Sequence, residues 1–442
     1  MQTKSLGIIL VLGAALRFGL LAAGAVHGSE SLFTPDTAGY VELAQSLVLD
    51  GTFERDAQPE LFRTPGYPIL LLFGSIFGPY WAISVAIAQV FGDILLVYLT
   101  YLLASLLCGR RVAIWAALFQ AVSPLAVAAN CRILTDAPFA LLWTLSLLLA
   151  AHHFRSGAWW SLLSAAAVAG AACYLRPAGI LYAGALGVVL LFRARRVVRA
   201  AAFAAVFGAT LAPWVVRNVV VADYWGFSNL PDDVAFGYQA PAVLAALDGT
   251  NLEVGRREME KRLARELPPG PISAGELSRR KGELSRRVVR EHPWTYLKLH
   301  LRGDLAVWMP AATDVAEIAG LTAGNRGTME VLHAQGPLAA ARHYFGGRTW
   351  ALWLCAPMVV FAAAKLLLAL AGAVRIARAG PQAAHWAMAL AILVAALVPG
   401  PAGHPRFRVP VEPVLSLLAG VAVAALLDRR ARRQACPTIT TD

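Results

Sequence analysis

The chain has 442 residues, of which 58% are hydrophobic and 15% are charged, and its formal net charge is +12. Soluble globular domains carry about 25% charged residues, so this composition excludes a soluble protein and indicates an integral membrane protein. Much of the positive charge lies in short clusters beside apolar segments. That pattern is typical of topology signals and of contacts with anionic membrane lipids, so we expect no nucleic-acid partner.

Apolar segments recur along the chain, and each needs about 20 residues to cross a bilayer. We predict an all-α polytopic fold with about ten transmembrane helices, at residues 5–26, 81–107, 112–128, 137–154, 159–175, 178–192, 200–216, 350–372, 384–400 and 410–427. The first segment is interrupted by Arg17 and is longer than the apolar part of a signal peptide, so we interpret it as a retained helix. Residues 67–79 are too short to cross and are expected to lie in the interface or to re-enter the membrane.

Basic residues between these segments predict the orientation. They alternate onto one face, at Lys4, Arg110–Arg111, Arg155, 193–199, Arg375, Arg378 and 428–433. The positive-inside rule assigns that face to the cytoplasm of a plasma (inner) membrane, with both termini cytoplasmic. Every predicted cytoplasmic connection is short, and no GxxxxGK[ST] motif is present, so nucleotide chemistry on that side is not expected.

Two long segments then lie outside the cytoplasm. The first outer loop covers residues 27–79 and belongs to a transmembrane module at 1–216. A small, mostly helical outer region is predicted at 217–349, and a second transmembrane module with a basic tail at 350–442.

Six arginines fall at the outer ends of apolar segments, on the side where positive charge does not normally collect. They are Arg63, Arg132, Arg176, Arg217, Arg406 and Arg408. The planar fork of donors on arginine suits phosphate, so we interpret this set as recognition of an anionic, lipid-linked substrate. Tyr67, in the turn motif TPGYP after Arg63, and His404, beside Arg406, complete the candidate substrate-binding residues.

Two aspartates lie on the same outer side. Asp36 precedes a helix predicted to begin at Thr37, so its carboxylate can cap that helix or act as a general base. Asp136 can cap the following helix, pair with Arg132 four residues earlier, or take part in the chemistry. The local sequence leaves these alternatives open, and we take both aspartates as candidate catalytic residues.

The outer region contains a heptad duplication, GELSRRK followed by GELSRRV, at 275–288. Its spacing predicts a helix with Leu277, Leu284 and Val288 on one stripe and arginines on the other faces. Two interpretations stay open for it, a basic helix resting on the outer lipid headgroups or an ordinary surface helix.

The five cysteines lack the spacing of a structural zinc site. A disulfide among Cys131, Cys173 and Cys355 stays open. We predict no cofactor and no bound metal; a divalent cation is not proposed.

Several motifs together carry a family resemblance. In chain order they are PDTAGYVELAQSL, FRTPGYP, LTDAPF, LRPAG, APWVVRN and PRFRVPVEP. They resemble the bacterial GT-C superfamily, most closely the branch of dolichyl-phosphate-mannose protein mannosyltransferases and lipid A aminoarabinose transferases. The resemblance covers nearly the whole chain, and 217–349 is the least similar part.

This resemblance implies a GT-C-like core and a membrane glycosyltransferase with a polyprenyl-phosphate sugar as donor and a lipid, glycan or protein as acceptor. It implies that Asp36 is the catalytic carboxylate, that Arg63 holds the donor phosphate and that Asp136 is the second acidic position. Asp36 is followed by Thr37, whereas some relatives have a second acid there, so a metal-bound mechanism is not predicted.

The mechanism that follows is an inverting single displacement, in which Asp36 takes the proton of the acceptor while Arg63, Arg406 and Arg176 hold the phosphate. A transporter or flippase of an anionic lipid and an O-antigen-type ligase or polymerase are the alternatives. The sequence shows neither the inverted repeat nor the pair of broken helices near the midplane expected of a transporter.

Overall fold

The computed structural model describes residues 2–193, 197–310, 312–322, 331 and 335–435. Helices make up nearly all of its regular structure. Within the described residues the strands form a single two-stranded antiparallel ribbon, β1 (Glu54–Arg55) paired with β2 (Gln58–Pro59), in the first outer loop. The predicted all-α architecture is therefore confirmed.

The N-terminal part forms a helical bundle with short helices in its first outer loop. The helices are α1 (Gln2–Val26), α2 (Thr37–Leu49), α3 (Gly66–Ser75), α4 (Trp81–Cys108), α5 (Arg110–Ala121), α6 (Pro124–Cys131), α7 (Asp136–Ser156), α8 (Trp159–Leu175), α9 (Gly179–Val188) and α10 (Val197–Ala222). Helices α7 and α8 pack against each other, and both contribute buried alanines to the core, at Ala150, Ala151, Ala165 and Ala166, whose small side chains let helices approach closely.

All ten predicted apolar segments contain helices, but the helices differ in length. Six described helices are long and apolar enough to cross a membrane, and α5 with α6 adds a seventh if this pair, bent by 53°, is one span. The apolar helices α3, α8, α9 with its continuation to Phe192, and Ala383–Leu397 are shorter. The number of ten spans therefore stays a prediction.

Buried charge stabilises the break between α5 and α6. Pro124 begins α6 and cannot donate a backbone hydrogen bond, which leaves carbonyls of the preceding turn without helical partners. Arg17 of α1 donates to one of them, the carbonyl oxygen of Ala121, at 2.7 Å. Arg17 also forms a buried ion pair with Asp93 of α4, so this intramembrane aspartate has a structural partner.

The outer region has its own small core. Its helices are α11 (Leu230–Val234), α12 (Ala240–Leu247), α13 (Leu252–Glu266), α14 (Ala274–Glu291), α15 (Pro293–Val307), α16 (Thr313–Ile318) and α17 (Pro337–Tyr344). The core contains Ala240, Val243, Leu244, Met259, Leu263, Leu284 and Val288.

The predicted helix of the heptad duplication is α14, and its apolar stripe packs inward through Leu284 and Val288. Its basic residues are paired with acids of the same region, for example Lys281 with Asp233 at 2.9 Å and Arg287 with Glu266 at 2.9 Å. This arrangement favours the ordinary surface helix over a helix that rests on lipid.

The C-terminal part contains α18 (Thr349–Ala379), α19 (Ala383–Leu397) and α20 (Glu412–Ala435). Helix α20 packs between α18 and α5, so both transmembrane modules share one apolar core. An ion pair between Arg111 and Asp428 joins two connections that were both predicted to be cytoplasmic. The division into three parts stays a prediction.

Candidate active site

The outer connections meet at one end of the bundle. Arg132, after α6, donates to the carbonyl oxygens of Ser31 and Phe33 at 2.9 and 3.1 Å. Arg217 of α10 donates to two carbonyl oxygens of the first outer loop at 2.8 and 2.7 Å. Arg406, before α20, forms an ion pair with Asp36 of the same loop. The structure therefore brings together connections that are far apart in the sequence.

A cavity of about 1470 Å³ lies at this end. Five of the predicted site residues line it, namely Asp36, Asp136, Arg132, His404 and Arg406. Its apolar lining comes from Leu352, Trp353, Ala356, Val359 and Val360, which share one face of α18, and from Leu125 and Ala129 of α6. The cavity thus has both charged and apolar lining.

Asp36 presents its carboxylate to this cavity. It precedes α2, but its side chain makes no capping hydrogen bond to the helix. The carboxylate instead pairs with Arg406 at 2.8 Å and keeps 40% of its side-chain surface exposed. The structure therefore favours a role in the cavity over the capping role.

Asp136 and Arg176 form a second ion pair beside the first. Two guanidinium groups lie near the ring of Phe407, with the Cζ of Arg176 at 5.1 Å and that of Arg406 at 5.3 Å from the ring centroid. Burial, and then the charge of Arg406, lower the pKa of Arg176 to about 10, so this group is still cationic at neutral pH. Two arginines are thus held near one another, each facing a carboxylate.

Arg63 does not line the cavity. Its backbone N–H donates to the buried carboxylate of Glu60 at 3.0 Å, and its guanidinium lies 5.0 Å from the ring of Tyr40. Its Nε has no hydrogen-bond partner among the described residues. Burial raises the pKa of Tyr40, and the charges of Arg63 and Arg176 partly oppose this.

Tyr67 packs against Tyr40. Its ring is 5.2 Å from the ring of Tyr40, and its buried hydroxyl donates to Gln89 at 2.8 Å. Tyr67 therefore has no surface in the cavity.

The spacing of Arg132 and Asp136 allowed an ion pair between them, but the structure does not form it. Arg132 instead pairs with acids of the outer region. It lies 2.6 Å from Glu317 and 3.5 Å from Asp314, both on α16. Arg132 and Asp136 do not lie on one helix, because α6 ends at Cys131 and α7 begins at Asp136. The helical i,i+4 spacing that would bring them together is therefore absent.

Besides Arg63 and Tyr67, three predicted residues do not line the cavity, namely Arg176, Arg217 and Arg408. Arg217 donates to backbone carbonyls, and its guanidinium stacks on Trp214 at 4.8 Å. Arg408 is buried, pairs with Glu412 at 2.9 Å and donates to the carbonyl oxygen of Val307 at 2.9 Å. Both arginines hold outer segments together in this structure.

Sequence reasoning did not find the cavity residues of the outer region. Tyr238, Asp314, Glu317, Arg342 and Tyr344 line the cavity, although no motif marks them. Asp314 and Glu317 lie three residues apart on α16, so a helical assignment there would have placed them on one face.

No group of three His, Cys, Asp or Glu side chains that suits a metal ion occurs within the described ranges. Cys131, Cys173 and Cys355 are free thiols, so no disulfide joins them.

Comparison with known proteins gives the family context. Residues 64–220 match the family described as dolichyl-phosphate-mannose-protein mannosyltransferase. The archaeal oligosaccharyltransferase AglB from Archaeoglobus fulgidus, in complex with an inhibitory peptide and a dolichol-phosphate, aligns with a TM-score of 0.50 at 15% identity. That alignment covers 100% of this chain and 52% of AglB. The chain has a GT-C fold.

A second structure of the Archaeoglobus fulgidus oligosaccharyltransferase, tethered with an acceptor peptide, supports the GT-C assignment. It aligns with a TM-score of 0.53 at 14% identity, over 99% of this chain and 51% of that one. ArnT from Cupriavidus metallidurans, bound to undecaprenyl phosphate, aligns with a TM-score of 0.47 at 15% identity, over 96% of this chain and 78% of ArnT. No curated protein shows significant similarity.

This chain spans about half the length of the oligosaccharyltransferase. At such low identity the likeness concerns the fold, which confirms the predicted GT-C-like core. The family match begins at Thr64, so Asp36 and the segment around Arg406 lie outside it.

Proposed function

We propose that this protein is a membrane glycosyltransferase that moves a sugar from a polyprenyl-phosphate donor to an acceptor outside the cytoplasm. The observation that carries the proposal is the shared cavity, which is lined by the Asp36–Arg406 pair and by apolar side chains. The family match and the GT-C fold support the same reaction class. Related folds in complex with dolichol-phosphate support a lipid-linked donor.

The donor has two chemically different parts, and the cavity offers a surface for each. Val359, Val360 and their neighbours on α18 can contact an isoprenoid chain, and Arg406 can donate to the phosphate with Arg176 beside it. Pockets for small molecules have volumes of about 300–1,000 Å³. The larger volume here, about 1470 Å³, suits a lipid-linked sugar together with an acceptor.

The proposed reaction is a single displacement at the anomeric carbon. An acceptor hydroxyl forms the new carbon–oxygen bond, and Asp36 takes its proton. The bond to the phosphate oxygen breaks, and the leaving phosphate keeps the electron pair while Arg406 and Arg176 stabilise its charge. This single displacement inverts the anomeric configuration.

The side of the membrane follows from the positive-inside rule. Arg111 and Asp428 lie at the end of the bundle that was predicted to be cytoplasmic, and the cavity lies among the predicted outer connections. We therefore propose that the active site faces the extracytoplasmic side of the plasma (inner) membrane.

Reconstitution in liposomes distinguishes this function from lipid transport. Purified protein is given a polyprenyl-phosphate sugar with isotope label in the sugar, and an envelope extract as acceptor. We expect free polyprenyl phosphate and label in a new product, with the opposite anomeric configuration by NMR. Movement of intact donor across the bilayer without cleavage would contradict the proposal and indicate a flippase.

A further inference from the structure

Tyr238 is an aromatic residue of the outer region that lines the same cavity as Asp36 and Arg406. It belongs to a single π-helical turn, Ala235–Gln239, between α11 and α12. Such turns are rare and occur frequently at functional sites. Phe236, two residues earlier, packs against the core of the outer region, whereas Tyr238 keeps 43% of its surface exposed.

Arg256 of α13 fixes the ring of Tyr238. Its guanidinium lies 4.6 Å from the ring centroid, and its Nε donates to the carbonyl oxygen of Gly237 at 2.8 Å. One face of the ring is therefore covered by a side chain that is itself held in place. An aromatic ring that does not have to be ordered on binding makes a favourable contact surface.

The cavity that Tyr238 lines also contains polar side chains. Asp314 and Glu317 line the cavity, and Tyr344 donates to Glu317 at 3.0 Å. The imidazole of His404 also lines this cavity, and its Nδ1 accepts a hydrogen bond from the backbone N–H of Arg406 at 3.2 Å. Carboxylates accept hydrogen bonds from hydroxyl groups, while an aromatic face attracts the weakly positive C–H groups of an apolar surface. A sugar ring presents both features at once.

We propose that Tyr238 is a stacking platform for a sugar ring of the acceptor, so that the acceptor is a carbohydrate and not a protein side chain. The inference rests on the proposed glycosyl transfer. The reacting centre of the donor is assigned to Asp36, Arg406 and Arg176 at the end of the bundle. Tyr238 comes instead from a region with a separate core. A platform there can contact a second substrate that approaches from the outer side.

The test measures binding of simple sugars directly. Protein in lipid nanodiscs is mixed with a panel of methyl glycosides, and saturation-transfer NMR reports which ring protons contact the protein. Every protein in this test also carries the Asp36→Asn substitution, which prevents turnover. We expect at least one glycoside to show contacts along one ring face. Those contacts should weaken about three- to tenfold in Tyr238→Ala and persist in Tyr238→Phe.

Tyr80→Ala is the matched control, because Tyr80 is an exposed tyrosine outside the cavity. Its substitution should leave the glycoside signal unchanged. A panel with no Tyr238-dependent contact would overturn the inference. Competition by a glycolipid embedded in the disc would identify a glycolipid headgroup as the source of the sugar, and its failure would identify a free glycan.

Donor cleavage separates this inference from the proposed function. With Asp36 intact and an envelope extract as the acceptor, wild type should cleave the donor, and Tyr238→Ala should raise the KM for the acceptor. If cleavage occurs but Tyr238 affects neither sugar binding nor the acceptor KM, the platform is wrong and the glycosyltransferase stands. If wild type does not cleave the donor, the proposed function itself fails.

Discussion

Asp36 and Arg406 illustrate how the site depends on single side chains. They come from opposite ends of the sequence and meet at 2.8 Å in the cavity. In the proposed mechanism Asp36 is the general base, and Arg406 donates to the donor phosphate. A bound phosphate would accept from Arg406 in place of this carboxylate, so the same arginine would link donor binding to release of the base.

Gly39 offers a way to move Arg63 without deleting it. A Cβ added at Gly39 would lie 2.6 to 2.8 Å from three atoms of the Arg63 guanidinium, the flexible end of that side chain. Gly39→Ala should therefore keep the fold, with a gain of about 0.5–1 kcal/mol from helix propensity, and displace the guanidinium. The family resemblance implies that Arg63 holds the donor phosphate, although Arg63 does not line the cavity. If Arg63 has that role, displacing its guanidinium should lower the initial rate of transfer in nanodiscs about tenfold or more.

Gly184→Ala on α9 is the control, because a Cβ there meets no atom within 4 Å. Equal rates for both glycine variants would show that the position of Arg63 does not matter for transfer.

His404 gives the site a dependence on pH. Burial lowers its pKa below the ordinary value; Arg406 and Arg132 add to this, and Asp314 and Glu317 oppose it. The neutral imidazole therefore contributes stability that is complete above the unfolded pKa of about 6.5 and is lost as the pH falls through the lower folded value.

Wild type should accordingly lose more stability than His404→Asn when the pH falls from about 7.5 to 5. Thermal unfolding midpoints across this range check the prediction. Parallel curves for the two proteins would mean that His404 does not titrate in this way.

At the scale of elements, a buried ionic cluster holds the segment between α19 and α20. Glu412 pairs with Arg408 at 2.9 Å and with Lys365 of α18 at 2.5 Å, and it accepts from Ser123 at 2.9 Å. Arg408 lies two residues after Arg406, so this cluster fixes the backbone that presents Arg406 to the cavity.

Glu412→Gln would leave two buried cations without their counter-charge. Breaking a buried pair in this way costs about 3–5 kcal/mol. We expect a large fall in the midpoint of unfolding in detergent. Asp428→Asn removes an exposed pair with Arg111 and should cost about 0–1 kcal/mol. Similar midpoints for the two variants would contradict the structural role of the cluster.

Helix α15 presents an apolar stripe outward, although it belongs to the outer region. The stripe consists of Trp294, Leu297, Leu301, Leu305 and, just after the helix, Met309, all exposed. It continues toward the exposed Leu393 and Leu397 of α19, against which α15 packs. An amphipathic helix of this kind, with Lys298 and Arg302 along it, is typical of contact with the membrane interface.

We therefore expect a photo-crosslinking amino acid at position 301 to capture lipid in nanodiscs. Glu260 of α13 lies on an exposed, charged helix of the same region, and the same amino acid there should capture none. Crosslinking to a second copy of the chain at position 301, without lipid, would show that α15 forms a protein interface.

For the molecule as a whole, the sequence predicted what depends on local hydropathy and charge. The apolar segments, the outer turns and the position of Asp36 before α2 all follow from short stretches of chain. The ion-pair partners of the arginines could not be predicted from the sequence, because Arg176 reaches Asp136 and Arg132 reaches Glu317 only after the helices have packed.

Two further features depended on tertiary contacts. Residues 112–128 were predicted as one span, and the structure divides them at Ser123–Pro124, where Arg17 from another helix satisfies the freed carbonyls. Arg408 shares its side with Arg406, but burial and Glu412 direct it away from the cavity. Sidedness alone does not distinguish an arginine that binds substrate from one that binds backbone.

The most direct test of the glycosyltransferase is the rate of polyprenyl phosphate release by Asp36→Asn compared with Asp56→Asn. Both aspartates lie in the first outer loop, but Asp56 is exposed on the ribbon, away from the cavity. We predict that Asp36→Asn lowers the rate by about 10²–10⁴ while donor binding is retained, and that Asp56→Asn stays within about twofold of wild type. Near-normal turnover by Asp36→Asn would contradict the account.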